Sequence, residues 1–312
     1  MLNTELVEFT TTDNLFLPGL LFTPQNKKTK KAAIFLHGNG SASVFYSVTR
    51  AKALARQFSK QGISLLLFNN RGAHFIKTVD KLIDSREREG QIEREDVTFG
   101  CAYELIKDCV HDIDGAVNFL KKQGYKQLFL IGHSSGANKV CVYDHYQPQN
   151  SIKKHILLGG GDDTGMYFKM IGSKNKLFSY LKQAKEKIEQ GRGKQLVPKY
   201  IYDRIISFQS FYDIANPDGD YNTFPFVELQ EELRLSTKPL FRYFKNITKP
   251  TLTVYGENDD FAPDKSGVIA NDILQQQVDG KNNFEFKTIS KADHSFHGQE
   301  SELGKLITSW LD

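Results

Sequence analysis

The 312-residue chain is poor in cysteine, proline and tryptophan, with 3, 9 and 1 of each. Cys101, Cys109 and Cys141 are odd in number, and their spacing suits neither a zinc site nor a redox pair. No disulfide framework is built from them, and reduced cysteines in a cytoplasmic protein are expected. Long apolar runs are missing too. Stretches such as Ile63–Phe68 fall far short of the roughly 20 residues a membrane helix needs. Residues 1–16 carry acids and threonines, not a basic start followed by an apolar run, so neither a signal peptide nor membrane insertion is expected. A large charge of one sign is absent: 41 Lys and Arg face 37 Asp and Glu, a net +4. No basic patch interleaved with aromatics points to a nucleic-acid partner. Repeats and low-complexity tracts are also lacking. What remains is 39% apolar and 25% charged, the composition of a folded chain long enough to bury a core without staples.

The apolar residues are organised. Two β-prone runs, 5–11 and 16–22, flank Thr12-Asp13-Asn14 and predict a hairpin. Short apolar runs follow at 32–37, 63–68, 127–131 and 152–158, and further strands are expected at 250–255 and 284–289. Between them lie helical periodicities. Val48, Ala51, Leu54, Ala55 and Phe58 share one face of 47–60, and Ile113, Ala116, Val117 and Leu120 one face of 112–122. Further helices are expected at 266–277 and 302–311. Buried strands alternating with helices predict an α/β fold around a parallel sheet. The charged stretch 77–96 reads as a solvated helix or loop.

Residues 162–245 break the alternation. They hold one amphipathic pattern near 176–189 and several Gly/Pro-containing loops, and fifteen of the 84 residues are Phe or Tyr. A helical insertion between two strands of one sheet, covering its carboxyl edge, is the economical reading. Phe208, Phe211, Tyr212, Phe224 and Phe226 are candidates to line a substrate cleft beneath it. The insertion has 14 Lys and Arg against 11 Asp and Glu, an excess that favours an anionic or carboxylate-bearing substrate.

The strand at 127–131 runs into Gly132-His133-Ser134-Ser135-Gly136, a G-x-S-x-G pattern followed by helix-prone residues. Composition alone produces such a match about 0.1 times per chain, so its strand–turn–helix setting is what gives it meaning. There the serine hydroxyl stands exposed above the sheet, and the Ser135 N–H faces a developing oxyanion. Leu36-His37-Gly38-Asn39-Gly40 closes the first buried strand, and Asn39 is the candidate second oxyanion donor. Later strands end at Gly256-Glu257-Asn258-Asp259-Asp260 and just before Ala292-Asp293-His294-Ser295-Phe296-His297. The order is therefore Ser134, an acid at 259 or 260, then a histidine at 294 or 297, all at one sheet edge. A serine needs a histidine to take its proton, and the histidine needs a carboxylate to fix its tautomer. Gly161-Asp162-Asp163-Thr164-Gly165 also spells an elbow-like pattern, but it opens the insertion and reads as a loop. His111, Asp112 and Asp114 supply too few ligands for a metal site, and Arg71 reads as a brace between loops.

With HGNG at 37–40, NNRG at 69–72, GHSSG at 132–136, GENDDFAP at 256–263 and ADHSF at 292–296, the chain resembles the α/β-hydrolase superfamily over nearly its full length. The resemblance implies one domain over 1–312. Its sheet would be mostly parallel and eight-stranded, with helices on both faces and a helical cap, 162–245, inserted after the sixth strand. It implies Ser134 as nucleophile, His294 as base and Asp259 as acid. FNNRG at 68–72, GRGKQLVP at 191–198 and NPDGDYNTFPF at 216–226 resemble a sparsely characterised branch that includes siderophore-esterase-like proteins. The expected activity is hydrolysis of a small to medium carboxylic ester through an acyl-enzyme, with no cofactor or metal. The same machinery serves thioester, amide or lactone hydrolysis and acyl transfer, and the fold also allows a non-catalytic binding protein. A small molecule is the expected partner, and an exposed cap face leaves room for a homodimer.

Overall fold

The apolar runs read from the sequence become strands of one sheet; those at 63–68 and 251–256 are buried throughout, whereas 284–289 at the sheet edge alternates buried with exposed residues. The structure, a computed structural model, describes residues 2–25, 29–40, 42–88 and 91–312. Its main sheet contains β1 (Leu2–Thr10), β2 (Phe16–Pro24), β3 (Lys31–Leu36), β4 (Ile63–Phe68), β7 (Gln127–His133), β8 (Ile152–Leu158), β9 (Thr251–Gly256) and β10 (Phe284–Ile289). Their spatial order is β1-β2-β4-β3-β7-β8-β9-β10. β1 pairs antiparallel with β2, and β2 antiparallel with β4. From β4 to β10 every pairing is parallel. This is the α/β-hydrolase fold.

Alternate residues of each strand enter different cores. Leu65 and Leu67 of β4 join α1 (Val48–Lys60) and α10 (Glu300–Leu311), whereas Leu66 and Phe68 join α2 (Cys109–Lys122), α3 (Ser135–Tyr146) and α9 (Gly267–Gln277) on the opposite face. Phe58 of α1 and Ile307 of α10 are fully buried on one side, and Ile113 and Leu120 of α2 on the other. The chain leaves β3 for β4 through α1 on one face, and from β4 it returns past β3 to β7 through α2 on the other. The crevice between the carboxyl ends of β3 and β7 is the switch point where such sheets receive ligands. The three cysteines are buried and unbridged.

The stretch 77–96 is solvated but neither helix nor loop. It forms an antiparallel pair, β5 (Lys77–Arg88) and β6 (Gln91–Phe99). Its charges suit a ribbon because opposite signs meet across the strands: Lys81 lies 3.5 Å from Glu95 and Asp80 3.1 Å from Arg94. Val79 turns inward, and Leu82 N–H bonds the Asn14 carbonyl, which ties the ribbon to the β1–β2 turn.

Between β8, the sixth strand of the main sheet, and β9 lie α4 (Asp163–Ile171), α5 (Lys174–Glu189), α6 (Phe208–Ala215), α7 (Phe226–Gln230) and α8 (Arg242–Asn246). Within this segment Asp218 accepts bonds from Ser236 Oγ, Thr237 N, Thr237 Oγ1 and Lys238 N. The stretch 216–226 is thus knotted to the approach to α8.

Arg71 braces the loops at the sheet edge. It is 1% exposed. Its guanidinium holds Asp112 at 2.7 and 2.9 Å and Asp13 at 2.9 Å, while its own N–H also reaches Asp112. Burial alone would raise the Asp13 carboxyl, but the Arg71 guanidinium overrides it and holds the group below its usual range. That contribution is present at neutral pH and is lost as pH falls through the lowered value. Arg71→Ala leaves Asp112 buried without its cation, and a loss of about 3–5 kcal/mol in urea denaturation is expected. The added loss from Asp112→Ala in the same background should be much smaller than its effect in the native chain.

Candidate active site

Ser134 stands alone between β7 and α3 with φ 57° and ψ −131°. A non-glycine residue holds such a conformation only where its surroundings over-determine it. Here they do. A Cβ on Gly132 would lie 2.1 Å from the Gly136 carbonyl oxygen, and one on Gly136 2.5 Å from the Leu36 oxygen. The two glycines let strand, turn and helix meet without side chains between them. The Ser134 N–H donates to Leu158 O at 2.8 Å, tying the turn to β8.

The next residue of that chain, Gly159, brings the acid and base alongside. A Cβ there would lie 3.1 Å from Asp259 Oδ2 and 3.2 Å from His294 Nδ1. Asp259 follows β9, is fully buried, and takes His294 Nδ1 at 2.9 and 3.0 Å through its two oxygens. Phe261 N–H also donates to Asp259 at 3.0 Å. This carboxylate fixes the histidine with its proton on Nδ1 and Nε2 free to accept. The His294 ring lies between Phe261, at 4.6 Å, and His133, at 5.0 Å between centroids. The alternatives fall elsewhere: Asp260 is exposed, and His297 is exposed and bonded to Asp293 at 2.7 Å. No hydrogen bond joins Ser134 Oγ to His294 among those of the described residues. In ligand-free sites this bond is often long and tightens with substrate.

The β3 loop closes the other side. A Cβ on Gly38 would meet Ser134 Cβ at 2.8 Å and Oγ at 3.2 Å, so only glycine fits there. His37, which sequence reasoning passed over, sets the orientation of this loop. Its Nε2 accepts the Asn70 N–H at 3.2 Å, which leaves the proton on Nδ1 to donate to Gly38 O at 2.8 Å. Burial, reinforced by the charge of Lys139, pushes His37 down to about 3, so it stays neutral. In a trans peptide the N–H points opposite the C=O, so anchoring Gly38 O on His37 aims the Asn39 N–H away from His37. The Ser135 N–H lies at the start of α3, where helical acceptors are absent and the dipole favours negative charge. His133 is a second histidine with a positioning contact. Its Nε2–H donates to the His294 carbonyl at 2.8 Å, linking the elbow to the histidine loop. Burial and His294 lower it to about 4.

Among the five aromatic candidates, Phe208, Phe211, Phe224 and Phe226 are buried in the core cluster, and Tyr212 is half-buried against it. Phe211 packs with Tyr167 and Tyr202, and Phe224 with Phe226 and Phe244. Phe224 comes nearest the site, since its ring fills the space a Cβ on Gly160 would need. A largely apolar cavity of about 300 Å³ lies on the opposite side of the loop. Its walls include Gly38, His133, Leu54, Leu158, Phe296 and Leu303. Of the basic residues in 162–245, Lys169 and Lys185 face outward, 57% and 62% exposed.

Asp162 is the N-cap of α4, accepting from Gly165 N at 2.7 Å, and Asp163 begins the helix, so this elbow-like pattern starts a helix and does not end a strand. Burial and the neighbouring Asp162 push Asp163 up to about 7. Among the described residues no group of three or more His, Cys, Asp or Glu side chains is placed to hold a metal ion. His111, Asp112 and Asp114 turn to Thr12, Arg71 and Tyr143 respectively. No helix among the described residues is long and apolar enough to cross a membrane.

His37→Ala frees the Gly38–Asn39 peptide and leaves the buried Asn70 N–H without an acceptor. The expected outcome is a loss of about 1–3 kcal/mol in stability. The rate of fluorophosphonate labelling of Ser134 should fall roughly 10- to 100-fold, read by mass spectrometry alongside a thermal melt.

No curated protein is significantly similar to this chain in sequence. Its backbone is similar to Est1E from Butyrivibrio proteoclasticus with ferulic acid bound, at TM-score 0.61 and 15% identity over 97% of each chain. It is similar to a soluble variant of monoglyceride lipase from Saccharomyces cerevisiae in complex with a substrate analogue, at TM-score 0.57 and 16% identity over 97% of this chain and 94% of that one. The Pyrococcus furiosus esterase Pf2001 gives TM-score 0.53 and 18% identity over 99% and 92%. A family model described as "Protein of unknown function (DUF1749)" matches residues 97–311, and the chain belongs to that family, on an α/β-hydrolase fold.

Proposed function

We propose that the chain is a serine hydrolase that cleaves a small to medium carboxylic ester through an acyl-enzyme on Ser134. The observation that carries this reading is the buried Asp259–His294 pair, bonded at 2.9 Å, packed against the same β8 end that anchors the strained Ser134. Ser134 Oγ attacks the ester carbonyl carbon while His294 Nε2 takes its proton. The N–H groups of Asn39 and Ser135 hold the oxyanion. The carbonyl re-forms, the C–O bond to the alcohol breaks, and Nε2 returns the proton to the departing alkoxide. Water, deprotonated by the same nitrogen, then attacks the acyl carbon; the bond to Ser134 Oγ breaks, Nε2 returns the proton to Oγ, and the acid is released. Asp259 keeps the ring oriented and stabilises its cationic form. Residues 162–245 act as a cap over this edge, with Phe224 nearest the reacting groups. The similarity to esterases and a lipase supports the bond type, and the 300 Å³ cavity beside Gly38 suits one small substituent of the substrate.

The test is turnover of p-nitrophenyl esters from acetate to dodecanoate. The native chain should show a chain-length optimum, and Ser134→Ala should lower kcat on the order of 10⁴-fold or more. Turnover retained in Ser134→Ala contradicts the assignment.

A further inference from the structure

Among the described residues, four buried polar atoms lie beside the elbow with no partner outside their own group: Ser135 Oγ, Asn138 Oδ1, Asp163 Oδ2 and Tyr221 Oη. Buried polar groups are ordinarily paired, so such a concentration calls for a ligand group that completes them. The four belong to one place. Ser135 and Asn138 are three apart on α3 and share a face. The Asn138 amide donates to the Gly161 carbonyl at 2.9 Å and to the Tyr221 carbonyl at 3.4 Å, drawing the Asp163 loop and Tyr221 onto that face. The Tyr221 hydroxyl lies beside Ser135, and Asp163 is the charge that acts on it most strongly. Tyr221 is 1% exposed, and Ser135 and Asn138 are fully buried.

The character of the cluster is set by what its neighbours already have. Glu104 holds Lys139. Asp162 accepts from Gly165 N and Val227 N, each at 2.7 Å. Asp163 Oδ2 has neither a cation nor a donor among the described residues. Asp163 Oδ2 and Asn138 Oδ1 are acceptors, and both hydroxyls are able to accept. An ammonium offers three donors and a positive charge to this acceptor-rich set, whereas an anion offers neither.

We propose that Asp163, Tyr221, Ser135 and Asn138 form a subsite beside the nucleophile that binds a protonated amine of the ester substrate, with Asp163 as its counter-charge. The proposal rests on the serine-hydrolase reading, and its experiment separates the two. Two matched substrate pairs place the charge on either side of the ester. On the acyl side, p-nitrophenyl 2-aminobutanoate is paired with p-nitrophenyl 2-methylbutanoate. On the alcohol side, 2-(dimethylamino)ethyl butanoate is paired with 3-methylbutyl butanoate. The readout is the kcat/KM ratio of cationic to neutral ester, measured in the native chain and in Asp163→Asn. Comparing the two proteins cancels both intrinsic ester reactivity and any general loss of activity. A charged contact of this kind predicts that the ratio falls about tenfold in Asp163→Asn for one pair. A fall of less than fivefold in both pairs overturns the subsite. Fluorophosphonate labelling of Ser134 reports the machinery itself. Labelling with unchanged ratios removes only the subsite, and a folded native chain left unlabelled removes the hydrolase reading with it. If Asp163→Asn fails to fold, Tyr221→Phe carries the test, and an unchanged ratio there overturns the subsite.

Discussion

The close packing around Ser134 is the constraint on which the rest of the site depends. A left-handed serine is costly in isolation, yet no neighbour can be enlarged to relieve it. Gly132 abuts Gly136, Gly136 abuts the end of β3, and Gly38 abuts the serine itself. The turn is thus clamped between two parallel strands and the start of α3, and the Ser134 N–H is committed to β8. Strain held in this way keeps the hydroxyl in one place before any substrate arrives, which suits a reaction whose barrier depends on pre-set geometry.

Behind the turn lies a polar layer that does no chemistry of its own in this account. Arg71 joins Asp13 and Asp112, Lys139 joins Glu104, and His37 joins Gly38 to Asn70. These contacts connect the β1–β2 turn, the β4 loop, α2 and α3, so the loops at the sheet edge brace one another. Buried charges are expensive unless paired, and here each of these cations has its carboxylate. Asp163 Oδ2, by contrast, has no partner among the described residues.

Much of this was legible beforehand because it is local. Runs such as Ile63–Phe68 are buried on both faces, so composition alone marks them as strands, and α1 and α2 announce themselves by the spacing of Leu54 and Phe58 or Ile113 and Leu120. Ser134 was legible because its two glycines answer a local steric demand. The stretch 77–96 is a ribbon and not a helix or loop because charges such as Lys81 and Glu95 satisfy one another across strands, which a count of charged residues does not reveal. Asp259 was implied by the resemblance at 256–263, and its burial against His294 sets it apart from exposed Asp260, whereas the role of His37 rests on a contact 33 residues away and does not appear in local pattern. The Gly161–Gly165 repeat of the elbow pattern illustrates the converse: the same letters at the head of a helix place Asp163 in a wall and not on a turn.

The most direct measurement is the mass of the peptide containing Ser134 after the pure protein has reacted with a fluorophosphonate. The account predicts a single stoichiometric adduct on Ser134, lost in Ser134→Ala and slowed in His294→Ala. An adduct on another residue, or none on folded protein, would contradict it.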